Sequence, residues 1–166
     1  MPNTYTLIAS YTVSSAQSSY TFTSIPQTYT DLILKMSTRD GDTSGALTSV
    51  SFNGVTTNLS ARRIRGTGSA ATSSTFASNI YVQNNAGSYT ANTFANTEIY
   101  IPNYTSSNYK SVSADGVSEN NATAAEMELD AGLWSSTAAI TSITLTAAAP
   151  NYQVNTTFYL YGVKNA

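Results

Sequence analysis

The chain has 166 residues, of which 41% are hydrophobic and only 10% charged, with a net charge of −2 and a pI near 4.8. A chain of this length can bury roughly 70% of its unfolded surface without covalent staples, and the expectation is a single domain over residues 1–166. It has no His and no Cys, which excludes Ser-His-Asp and Cys-His catalysis, His- or Cys-based metal sites and disulfides, while the slight acidity argues against an electrostatic nucleic-acid binder.

Polarity comes instead from 26 Thr, 24 Ser and 15 Asn, interleaved with 12 Tyr and 5 Phe. The opening MPNTYTLIASYT carries neither a basic nor a continuous apolar segment, so no signal peptide is expected. No apolar run approaches the ~18 residues that span a bilayer, so no membrane partner is expected.

Strand signals then dominate in chain order. Tyr5, Leu7, Ala9, Tyr11 and Val13 alternate with polar residues at a period of two. Tyr20 and Phe22 follow, then Leu32, Leu34 and Met36. Val50 and Phe52 lead into Asn53-Gly54, a hairpin signal that predicts a return strand from Val55 to about Ile64. Residues 66–78 are rich in Gly, Ser, Ala and Thr and read as a loop. Ile80 and Val82 mark a short strand. Ile99 and Ile101 mark another, closed by Pro102, which cannot donate to a ladder.

Tyr109 to Val117 is the next strand. In the one after it Met127, Leu129, Ala131 and Leu133 alternate with Glu126, Glu128 and Asp130. Ala122 to Met127 is the sole helical candidate and is too short to stand alone. Ile143 and Leu145, then Phe158 and Leu160, complete the series and read, with Ile140, as neighbouring strands of one core layer. About ten short strands separated by turn residues predict an all-β antiparallel sandwich, jelly-roll-like, with one wet face per sheet.

Three segments carry a resemblance. Residues 98–118 read EIYIPNYTSSNYKSVSADGVS, residues 132–146 GLWSSTAAITSITLT and residues 156–162 TTFYLYG. In this order, with SYTFTSIPQTYTDLILKM at 19–36, the chain resembles a small β-sandwich domain of tailed-bacteriophage virion proteins. The resemblance implies a fold and a virion setting. Its motifs are framework motifs and bring no catalytic residues.

Several side-chain groups admit more than one role. In a strand, Glu126, Glu128 and Asp130 project from one face about 7 Å apart. That spacing fits a solvated face, a cation or partner contact, or paired carboxylates for hydrolysis. Asp40-Gly41-Asp42 resembles a fragment of a calcium loop and reads as a turn. Arg62, Arg63 and Arg65 hold three of the seven basic residues. They fit either ordinary surface salt bridges or an interface, for which the stripe at 126–130 of a neighbouring subunit is the complementary patch.

Tyr100, Tyr159 and Tyr161 fall on the face opposite the core residues. There they stiffen the sheet, stack sugars or anchor a protein. Trp134, the lone Trp, is expected to cover one end of the core, the alternative being an exposed binding aromatic. The Asn-x-Ser/Thr acceptors at Asn58, Asn103, Asn121 and Asn155 read as chance in an Asn- and Thr-rich chain.

The expected function is that of a phage virion structural protein without enzymatic activity, cofactor or metal. The first form is a capsid decoration (cement) protein, made in the host cytoplasm and docked on the capsid exterior. Its partners would be the major capsid protein and copies of itself, a trimer being plausible under closed symmetry. The alternative is a tail fibre or tip protein that binds a receptor or a host-surface glycan. With few charges to titrate, stability is expected to depend little on moderate pH.

Overall fold

A computed structural model describes residues 4–43, 46–119, 125–148 and 150–164. Among these the protein is all-β, with twelve strands and no helix. They are β1 (Tyr5–Thr12), β2 (Ser19–Phe22), β3 (Asp31–Thr38), β4 (Leu47–Phe52), β5 (Leu59–Gly66), β6 (Ala71–Phe76), β7 (Ile80–Gln83), β8 (Ala95–Ile101), β9 (Lys110–Ser118), β10 (Glu126–Trp134), β11 (Ile143–Ala147) and β12 (Thr157–Val163). The helical candidate falls largely outside the described residues, and its end, Met127, belongs to β10.

The strands form two antiparallel sheets, the expected sandwich. One has eight strands in the order β1-β12-β3-β8-β9-β10-β5-β6, the other four in the order β2-β11-β4-β7. The core lies between them. Val50, Phe52, Ile143 and Leu145 of the small sheet face Leu34, Ile99, Phe158 and Leu160 of the large one, all buried. β11 and β12 therefore lie in different sheets and are not neighbours in one layer. Ile140 is buried at the entry to β11. Trp134 does cover one end, 2% exposed with its ring 5.4 Å from that of Phe52.

Two local expectations change. Asn53 and Gly54 adopt positive φ values of 53° and 70°, but the return is a single bridge, Phe52↔Val55. The chain then leaves the small sheet and enters the large one as β5. The Asn53 side chain explains the departure. Its Oδ1 accepts from the Thr141 and Ser142 amides, at 2.8 and 3.1 Å, and its Nδ2 donates to the Ala139 carbonyl. The residue thus ties the corner to the segment before β11 and does not close a ladder.

Residues 71–76, read as loop, form β6, the edge of the large sheet, paired to β5 from Ala61↔Phe76 to Gly66↔Ala71. Ser and Thr suffice there because β6 buries almost nothing: five of its six residues are exposed. Three of the four Asn-x-Ser/Thr asparagines, Asn58, Asn103 and Asn155, sit at positive φ. Asn tolerates that region better than most residues, which gives these positions a backbone reason. Asn121 lies outside the described residues.

Candidate functional site

The site is built on the three adjacent strands β9, β10 and β5. β10 pairs with both neighbours in register, so Leu129 lies beside Ile64 and Asp115, and Met127 beside Gly66 and Val117. Which face of β10 turns inward is fixed at its end. Trp134 has the largest side chain of the strand, and it is buried. Side chains alternate, so burying Trp134 also sends Gly132, Asp130 and Glu128 inward and Met127, Leu129 and Ala131 outward. Gly132 and Gly116 then let β7 close down. A Cβ on Gly116 would lie 2.6 Å from the Gln83 Cβ, and one on Gly132 would lie 3.0 Å from Ile80.

The expectation of an exposed acidic stripe opposite an apolar core face is thus inverted. Glu128 and Asp130 are 5% and 2% exposed, whereas Met127 and Leu129 are 63% and 58% exposed. The arginine cluster divides for the same reason. Arg62 points to solvent, Arg63 is buried, and Arg65 is half-buried at the end of β5. Arg63 and Arg65 do grip carboxylates, but those of their own neighbouring strand.

Arg63 Nε donates to Asp130 Oδ1 at 2.7 Å, and its Nη2 approaches Glu128 Oε2 at 3.0 Å and donates to the Tyr81 carbonyl at 2.8 Å. Its guanidinium lies 5.1 Å from the Phe76 ring centre. Arg65 pairs with Glu126 and lies 3.9 Å from Glu128. The Gln83 amide, in the orientation that satisfies both of its polar atoms, donates to Glu128 at 2.9 and 3.0 Å. These charges are spoken for within the chain, so Arg63, Glu128 and Asp130 cannot form the intersubunit contact the sequence suggested. Burial pushes the Glu128 carboxyl up to about 7 against the pull of Arg63, and raises Asp130 for the same reason.

Outside this buried cluster lies an apolar patch on the solvent face: Ile64, Val117, Met127 and Leu129. Gly66 and Ala71 lack bulk, so a shallow depression of about 390 Å³ opens beside Met127. Two charges flank the patch. Among the described residues, Arg62 donates to its own neighbour, the Ala61 carbonyl. Asp115 stands directly across from Glu98, a like-charged neighbour whose own partner is Lys35 at 2.8 Å. No signal in the sequence pointed to Ile64, Val117, Met127 and Leu129, because apolar residues at alternate positions read as core.

The tyrosines take their expected face. Tyr100 and Tyr159 are each 37% exposed on the outside of the large sheet. Tyr100 and Tyr161 flank Ile33 in register and bury it, and the Tyr100 hydroxyl donates to Asp31 Oδ2 at 2.9 Å. Tyr5 and Leu7 of β1 join this face because a bulge between Leu7 and Ala9 reverses the strand's phase.

Asp40-Gly41-Asp42 is a turn in which Asp40 Oδ1 accepts from the Asp42 amide. Among the described residues no group of three His, Cys, Asp or Glu is placed to hold a metal ion. No helix there is long and apolar enough to cross a membrane. Comparison with protein-family models, with curated proteins and with solved structures finds no match. The virion resemblance rests on the quoted motifs alone.

Proposed function

We propose that this chain is a non-enzymatic structural protein of a tailed-bacteriophage virion, most simply a decoration protein that docks on the outside of the capsid and stabilises the head. The observation that carries the reading is the outer face of the eight-stranded sheet. Monomeric proteins rarely leave a contiguous group of large apolar side chains in water, and such patches mark interaction surfaces. Here the patch is bought with two buried carboxylates, a costly inversion of the ordinary pattern, and broken local rules of this kind gather at functional sites. A protein docked across capsomer boundaries stabilises the shell because it binds the assembled state and not its parts. The same carboxylates are sequestered by Arg63, which favours a structural over a hydrolytic role for them.

The exposed Tyr5 and Tyr159 favour a second reading, a tail-tip protein that stacks sugar rings on that half of the sheet. Copy number separates the two. Quantitative mass spectrometry of particles from a phage encoding this sequence is expected to find hundreds of copies per particle. A few copies would favour the tip, and absence from particles would overturn both.

A further inference from the structure

We infer that the patch around Leu129 is covered by a second copy of this chain, in a dimer whose two-fold axis runs along β10. The inference rests on the outer sheet face being a docking surface and names the partner for this half of it. β10 lies midway between β5 and β9. A two-fold axis along it stacks the two sheets face to face, with β5 of each copy over β9 of the other and every cross-strand row kept in place.

Three matches follow from the register. Met127 and Leu129 lie on the axis and meet their own counterparts, which removes from water two side chains that are each more than half exposed. Val117 and Gly66 flank Met127 in one row, so each Val117 faces the depression at the other copy's Gly66. Arg62 stands one two-residue step from the row of Asp115, about 7 Å along the strand, within an extended arginine's reach. It thereby supplies a cation to Asp115, which is set beside Glu98 and forms no ion pair among the described residues.

In the Leu129 row the same operation sets Asp115 over Ile64 of the other copy, and Arg62 reaches that carboxylate along the strand. A two-fold perpendicular to the strands through the Leu129 row would place Asp115 on Asp115.

The test is a concentration series of the intact protein by size-exclusion chromatography with light scattering, which needs no virus particle. A species of twice 17.6 kDa is expected. Leu129→Arg, an exposed site where the fold tolerates charge, should weaken association at least about 30-fold, as loss of a central anchor does.

The chain contains no Cys, so engineered thiols report geometry cleanly. Ala131→Cys, on the exposed face of β10, should be joined to its own counterpart by a short bismaleimide that spans about 10 Å, the spacing of sheets stacked face to face, which a disulfide is too short to bridge. One thiol per chain leaves no internal link. A wild-type chain that stays monomeric, or a dimer indifferent to Leu129→Arg, would overturn the inference. So would a dimer that the Ala131→Cys thiols fail to link. A monomeric wild type whose particle binding is lost with Leu129→Arg would give the patch to the shell protein instead, and the proposed function would survive.

Discussion

Arg39 is the residue on which a whole loop turns. It is 5% exposed, and its guanidinium faces four carbonyls and the Thr93 hydroxyl, to which Nη1 donates at 3.3 Å. Nη1 also donates to the carbonyls of Thr90 and Thr93, Nη2 to those of Gly87 and Tyr89, all at 2.9 Å. A planar fork of donors can hold four carbonyls at once, and a single ammonium cannot. Arg39→Lys should therefore leave some of these part-buried carbonyls without a donor, at up to about 1–3 kcal/mol each. The expected total loss is about 3 kcal/mol in urea denaturation. Hydrogen exchange should quicken first in residues 84–94. Unchanged stability would mean that the guanidinium does not hold the loop. Nothing in the sequence distinguishes Arg39 from the other basic residues, because four of its partners are backbone carbonyls, which carry no side-chain signature. Lys110 was equally hidden: it is 1% exposed, with its ammonium on the Ser106 and Asn108 carbonyls at 2.7 and 2.6 Å.

β10 shows at the scale of the element where reading a pattern succeeds and where it fails. The period of two was plain, so the strand itself was legible, as were β3, β8, β9, β11 and β12. The phase was not, because the apolar positions were assigned to the core by hydropathy while Trp134 and the two inward glycines set the opposite face. The bulge in β1 and the edge strand β6 escaped for related reasons. A bulge leaves no composition signal, and an edge strand that buries nothing looks like a loop. Of the candidate site, the sequence located Arg62, Arg63, Arg65, Glu126, Glu128 and Asp130 on strands that prove adjacent, but it left the arginines between surface salt bridges and a contact between subunits, and neither reading put Arg63, Glu128 and Asp130 inside the sandwich. The energetics of the buried cluster can be tested directly. Arg63→Met alone strands two carboxylates between the sheets and should cost about 3–5 kcal/mol. Adding Glu128→Met and Asp130→Leu should recover most of that loss, since an apolar set of similar volume often equals or exceeds a buried ion cluster. Urea titrations of the two variants decide it. A triple variant less stable than Arg63→Met would show that the charges hold the sheets in place.

For the whole molecule, buried carboxylates reverse the expectation that stability ignores moderate pH. Glu128 is raised from 4.5 to about 7, and Asp40 from 3.8 to about 6, in both cases chiefly by burial. Around Glu128 stand Arg63 and Arg65 from β5, Asp130 from its own strand and the Gln83 amide from β7. One buried guanidinium cannot balance two buried carboxylates, so the second holds its proton into the neutral range. A group whose folded pKa lies above its unfolded value binds more protons in the native state, so stability falls as pH rises between the two values. The contribution is complete below about pH 4. It declines through about 6 for Asp40 and about 7 for Glu128, by on the order of 3 kcal/mol each. Thermal melts at constant ionic strength should therefore give a midpoint several degrees higher at pH 5 than at pH 8. Glu128→Gln, neutral at every pH, should flatten the upper part of that slope and leave the part due to Asp40. A midpoint that rises toward pH 8 would mean that both carboxylates are ionised inside the sandwich and held there by Arg63 and the surrounding amides.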